Sequence, residues 1–219
     1  MLALPLGDLP TRSASGFLIR YVLPRSLPPQ LIGPMDRKQP FQMLTISDAI
    51  IGVGHGDDSS FCGHNNQVVM DILSIPNVKG KIVILIACET AQLLGPELIE
   101  KGAASYIGFK DDLVWVVDAD LAFTPWSDKL AKSVMLPITS CVNTILDGKT
   151  TGEAFNTMQE YFSRNAALEE DDLIRSCINF NQKNAVLLGS PEARVTARPP
   201  LPLPFSLIPP PPILLPLAS

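Results

Sequence analysis

The sequence predicts an α/β fold, a three-layer sandwich built on a mainly parallel sheet. Three observations carry this. Lys81 to Ala87 reads KIVILIA, an unbroken and largely β-branched run of the kind found in strands covered on both faces. A second run, Asp48 to Val53, has the same character. Between and after these runs the apolar spacing becomes helical, and strands alternating with helices favour parallel pairing through crossover helices.

The elements follow in order. Residues 1–41 form a Pro-rich N-terminal segment with one strand-like island, Phe17 to Leu23. Residues 42–197 form the α/β domain. Within it, Asp48 to Val53 is a strand, Val68 to Leu73 a short helical turn, and Lys81 to Ala87 the central strand. Gln92 to Lys101 is helical, with Gly102 placed to stop it. Ala104 to Phe109 is a further strand. Leu130, Val134, Ile138, Cys141 and Ile145 share a helical spacing, which Pro137 should kink or split. Thr150 and Glu153 have the spacing of a capping box, opening a helix with Ala154, Phe155, Met158, Tyr161 and Phe162 on one face. Leu168 to Phe180 is a second helix, its Glu169 to Asp172 run suiting a helix N-terminus. Ala185 to Leu188 is a last short strand. Residues 198–219 are a Pro-rich apolar tail, which can form neither a helix nor a central strand. Polyproline II is its expected local conformation, in a tail that is disordered, loosely docked on the body, or offered to a partner's aromatic groove.

The chain has only two histidines. One of them, His55, lies between Gly54 and Gly56 just past the end of the Asp48 to Val53 strand. Cys88 follows the end of the central strand. Ligands in an open α/β sheet bind outside the carboxyl ends of the strands. If the two strands are parallel neighbours, the imidazole and the thiol emerge on one edge and can act as base and nucleophile. Gly56 allows close backbone approach, and its amide with that of Cys88 could form an oxyanion hole. Taken singly, a Cys after an apolar run is ordinarily a buried small hydrophobe, and a strand-end His an ordinary hydrogen bonder. The pair in this order is more specific than either.

GVGHGDD around His55 and VILIACETAQLLGPELIEKGAASYIGF around Cys88 resemble clan CD cysteine peptidases, the caspase-like fold, most closely its gingipain and CHAT branches. DGKTTGEAF and NAVLLGSPEARV resemble later segments of that family, so the resemblance spans roughly residues 45 to 195. It implies a cysteine endopeptidase with His55 as general base or acid, Cys88 as nucleophile, and the Gly56 and Cys88 amides as oxyanion donors. The reaction would pass through a thioester acyl-enzyme. Because the family has two βα units before the histidine strand, the resemblance also implies a sheet trimmed on its N-terminal side or a chain belonging to a larger protein. The alternative is a catalytically inert caspase-like scaffold that assembles through the Pro-rich tail.

Asp57, Asp58, Asp111 and Asp112 follow predicted strand ends on the same edge. They read either as solvated loop carboxylates or as a negative rim; Asp57, Asp111 and Asp112 would then bind a basic P1 side chain. No cofactor is expected, although clustered loop carboxylates suit calcium. Zinc at Cys62 and His64 lacks a second paired ligand motif. A net charge of −5 argues against a general grip on nucleic acid. The four scattered cysteines fit a reducing compartment. No secretory signal or membrane span is expected, so the chain reads as soluble and cytoplasmic, with a peptide or protein as substrate.

Overall fold

The computed structural model describes residues 2–4, 7–25, 30–32 and 47–195. In chain order it contains β1 (Leu2–Leu4), α1 (Leu9–Tyr21), β2 (Gln30–Ile32), β3 (Ala49–Val53), β4 (His55–Gly56), β5 (Ser60–Cys62), β6 (Val68–Asp71) and β7 (Ile82–Ile86). These are followed by α2 (Leu94–Glu100), β8 (Ser105–Phe109), α3 (Lys129–Leu146), α4 (Thr151–Leu168), α5 (Asp172–Asn184) and β9 (Ala185–Gly189). The main sheet runs β2-β1-β3-β7-β8-β9. Its pairs are parallel except β8 with β9. A separate antiparallel sheet joins β4, β5 and β6.

The apolar run of β7 is explained by two covered faces. Ile82, Ile84 and Ile86 belong to the core shared with α1, α3, α4 and α5. Val83, Leu85 and Ala87 face the opposite core, with Leu94 and Leu98 of α2 and with Phe61, Val69 and Met70. Alternation along a strand sends successive side chains to opposite faces, so a strand between two layers has no polar position. The result is the expected three-layer sandwich.

The N-terminal segment differs from expectation. Phe17 to Tyr21 is helical, not a strand. Asp8 caps α1: it accepts from the Thr11 amide at 2.9 Å, and its own amide bonds Thr11 Oγ1 at 3.3 Å. Ala14, Phe17, Leu18 and Val22 then recur at helical spacing and are buried. Two strands precede β3 on this side of the sheet: β1 pairs with β3 and β2 with β1, both in parallel.

Val68 to Asp71 is likewise a strand and not a helical turn; Val69 and Met70 are buried behind β5. The helix expected from Leu168 begins instead at Asp172. Asp171 caps it by accepting from the amides of Leu173 and Ile174, and it runs to Asn184. Pro137 does not split α3. It cannot donate to the Ser133 carbonyl one turn back, but Asn165 Nδ2 of α4 donates to that oxygen at 2.8 Å. The Thr150 and Glu153 capping box is formed as expected. The tail at 198–219 lies outside the described residues.

Candidate active site

The β3 and β7 register sets the geometry. Val53 pairs with Ile86, and the Gly54 amide donates to the Ile86 carbonyl at 3.2 Å. The strands therefore end level. His55 and Cys88 each stand two residues beyond that pair, at the carboxyl edge of adjacent parallel strands.

The glycines bring the two segments into contact. A Cβ on Gly56 would stand 2.5 Å from the Cys88 carbonyl oxygen and 2.5 Å from Thr90 Cγ2. A Cβ on Gly54 would stand 2.0 Å from the Cys62 carbonyl oxygen. Only hydrogen fits at either place. The Asp57 amide bonds the Ser60 carbonyl at 3.1 Å, so 57 and 60 are a hydrogen-bonded pair. Antiparallel alternation then turns the Gly56 N–H away from β5.

His55 has a partner that sequence reasoning missed. Its Nε2 lies 2.7 Å from Asp8 Oδ2. An ionised carboxylate only accepts, so Nε2 carries the proton and Nδ1 is the nitrogen available for proton exchange. Burial acts to raise the Asp8 carboxyl, but hydrogen bonds from His55 and Thr11 outweigh it and hold the group below its ordinary range. The Asp8-x-x-Thr11 cap signature was legible in the sequence; its pairing with a histidine 47 positions away was not.

Cys88 sits in a tight turn. Glu89 is left-handed, with φ of 56°, an uncommon conformation for a residue with a side chain. The Glu89 amide bonds the Asp111 carbonyl, the Ala91 amide bonds the Phe109 carbonyl, and the Thr90 amide bonds that of Cys88. Beneath them, buried Tyr106 donates its hydroxyl to Thr90 Oγ1 at 2.8 Å. Cys88 Sγ accepts from the Leu113 amide at 3.4 Å. Burial pushes the thiol up, the Leu113 amide opposes this, and the Asp112 and Glu89 charges add to the rise. Among the described residues no hydrogen bond joins His55 to Cys88, and burial favours the neutral thiol.

A cavity of about 320 Å³ opens beside both side chains. Its walls include Pro10 and Ala14 of α1, Val53 and Ile86 at the strand ends, and Leu113 and Trp115 of the following loop. Asp57 accepts from the amides and hydroxyls of Ser59 and Ser60 and turns the β4–β5 hairpin. Asp111 accepts from the Asp112 amide, and both are exposed. Asp112 is close enough to Cys88 to act on its thiol. None of the three lines the cavity. Cys62 stands opposite His55 in the hairpin register. Among the described residues no group of three or more His, Cys, Asp or Glu side chains could hold a metal ion.

The fold is similar to a solved structure described as that of a protease. The two superpose over 89% of this chain and 48% of the other, with a TM-score of 0.59 and 13% sequence identity. This chain thus spans about half the length of that one. No protein-family model and no curated protein matches the sequence. Among the described residues no helix is long and apolar enough to cross a membrane.

Proposed function

We propose that this chain is a cysteine peptidase of the caspase-like kind, with Cys88 as nucleophile, His55 as acid and base, and Asp8 positioning His55. The observation that carries the reading is the level ending of β3 and β7, which puts the thiol and the imidazole at one cavity mouth. In the reaction, the Cys88 sulfur attacks the scissile carbonyl carbon while its proton passes to His55 Nδ1. The tetrahedral oxyanion accepts from the Gly56 and Cys88 amides. His55 returns the proton to the leaving amine as the C–N bond breaks, leaving a thioester. Water, deprotonated by His55, then attacks the thioester and releases Cys88. The imidazolium formed in these steps is stabilised by the Asp8 carboxylate. Because burial keeps the resting sulfur neutral, proton transfer accompanies attack and does not precede it.

A second reading, an inert caspase-like scaffold, is favoured by one observation: the Cys88 sulfur is bonded to Leu113 and not to His55. Covalent labelling separates the two. The full chain is treated with peptidyl acyloxymethyl ketones and read by intact mass, beside Cys88→Ala and His55→Ala. Labelling that requires both residues supports the peptidase. A folded protein that no probe labels supports the scaffold.

A further inference from the structure

We propose that the cavity beside His55 and Cys88 receives the side chain of the residue whose carbonyl is attacked, the P1 residue, and that it selects a bulky apolar or aromatic side chain over a basic one. This rests on the peptidase reading above and names the substrate class for it.

The position comes first. The cavity is bounded by the two strand ends that carry the dyad, by the first two turns of α1, and by the loop after β8. A side chain attached to a carbonyl at Cys88 enters it directly. Its volume, about 320 Å³, compares with the roughly 150 Å³ that accommodates a benzene ring in an apolar protein cavity. A phenyl or branched aliphatic group therefore fits, and a methyl would leave most of the space unfilled.

The chemistry of the walls comes second. Pro10, Ala14, Val53, Ile86, Leu113 and Trp115 present apolar surface. Trp115 spends its indole N–H on Ser13 at 3.3 Å. Thr11, the hydroxyl-bearing wall residue, has its Oγ1 bonded to Asp8 at 2.8 Å. Among the described residues no carboxylate lines the space. Asp8 lies outside the lining, and its oxygens already accept from Thr11 and His55. An ammonium or guanidinium placed here would lose its hydration without gaining a counter-ion, which is strongly unfavourable.

The loop wall is also held in place, so the cavity exists before substrate arrives. The Val114 amide bonds Asn181 Oδ1 at 3.0 Å, and Asn181 is fully buried. Further along, the Asp118 amide bonds Asp128 Oδ2 at 2.8 Å. Gly16 of α1 admits Pro125 so closely that a Cβ would stand 2.2 Å from its Cγ. Discrimination by a preformed apolar pocket is about 10–200-fold per methylene gained or lost.

The test is a rate comparison on the full chain. Tetrapeptide acyloxymethyl ketones identical except at P1 (Phe, Leu, Ala, Lys, Arg, Asp) are reacted with the protein, and second-order labelling of Cys88 is followed by mass. The expected order places Phe or Leu fastest, at least tenfold above Ala and further above Lys and Arg. Ala14→Leu and Val117→Phe, the latter at a loop residue that also lines the space, each fill the cavity. Each should slow the Phe probe at least tenfold more than it slows the Ala probe, and whichever variant folds serves. Lys or Arg labelling fastest overturns this inference and leaves the peptidase intact, pointing to Asp112 as the selecting charge. The Phe probe reacting at the parental rate in a folded filling variant overturns the pocket assignment. No labelling by any probe in a folded protein overturns the peptidase reading, and this inference with it.

Discussion

Asp8 has two roles in this molecule, and they can be separated. It caps α1 through Thr11, and it accepts the His55 Nε2 proton. Serine caps a helix about as well as aspartate, whereas alanine costs about 1 kcal/mol. Asp8→Ser therefore removes the carboxylate from His55 and keeps the cap, while Asp8→Ala removes both. A hydrogen bond to a charged partner contributes about 1.5–3 kcal/mol. The His55 and Asp8 side chains are 39% and 42% exposed, so solvent screening takes the figure below that range, to about 1.4 kcal/mol at most. That energy bears on catalysis when His55 becomes cationic. Asp8→Ser should slow Cys88 labelling by up to about tenfold, since each 1.36 kcal/mol of barrier is a factor of ten. Its thermal midpoint at pH 7 should fall by less than that of Asp8→Ala, which loses the cap as well. The assay is labelling rate and melting on the same samples. Parental labelling by a stable Asp8→Ser protein would refute the positioning role. The pH dependence has a definite sign. The Asp8 carboxyl is held below its ordinary 3.8, so the stability it contributes is present above pH 3.8 and is lost as pH falls through the folded value. Asp8→Ser should lack that contribution, so its stability should fall below the parent's from pH 5 to 8 and the difference should close as pH falls through the folded value.

Three other outcomes are expected. Gly56→Ala forces a methyl against the Cys88 carbonyl and Thr90, which should cost about 1–3 kcal/mol in denaturant melts and slow labelling at least tenfold; a neutral result would mean that the two segments do not touch. Cys88 carries a thiol raised above 9.0, so its alkylation by iodoacetamide, resolved by peptide mass, should still be rising at pH 9, and Asp112→Asn should move the rise to lower pH; a plateau already reached at pH 7 would contradict the neutral resting thiol. Asn165→Ala leaves the Ser133 carbonyl without the bond that compensates for Pro137 and should cost about 1 kcal/mol; in a Pro137→Ala background, where residue 137 regains its amide, a double-mutant cycle in urea should show that cost reduced.

How much of this was legible in the sequence follows from how far each signal reaches along the chain. β3, β7, β8 and the helix that ends at Gly102 were readable because their periodicity is local. Pro137 was a local warning that misled, since its remedy, Asn165, comes from another helix. α1 was missed because Ser13, Ala14, Ser15 and Gly16 dilute its apolar face, though Asp8 and Thr11 mark its start. β1 is only three residues long and is a strand because β2 and β3 flank it. The offsets of His55 and Cys88 from their strand ends could be counted in the sequence, but their meeting depended on a register that only packing on both faces of the sheet imposes. The acidic rim was inferred from loop position. In the folded chain Asp57 spends its oxygens on its own turn, and the cavity is walled by apolar residues drawn from α1, two strands and a loop. By itself the sequence determined β3, β7, β8 and the later helices and which side chains stand at their ends, because period and capping act over a few residues. The tertiary structure alone decided that Asp8 meets His55 and that an apolar cavity adjoins the thiol, because hydrogen bonds and cavities between distant segments exist only once those segments are docked.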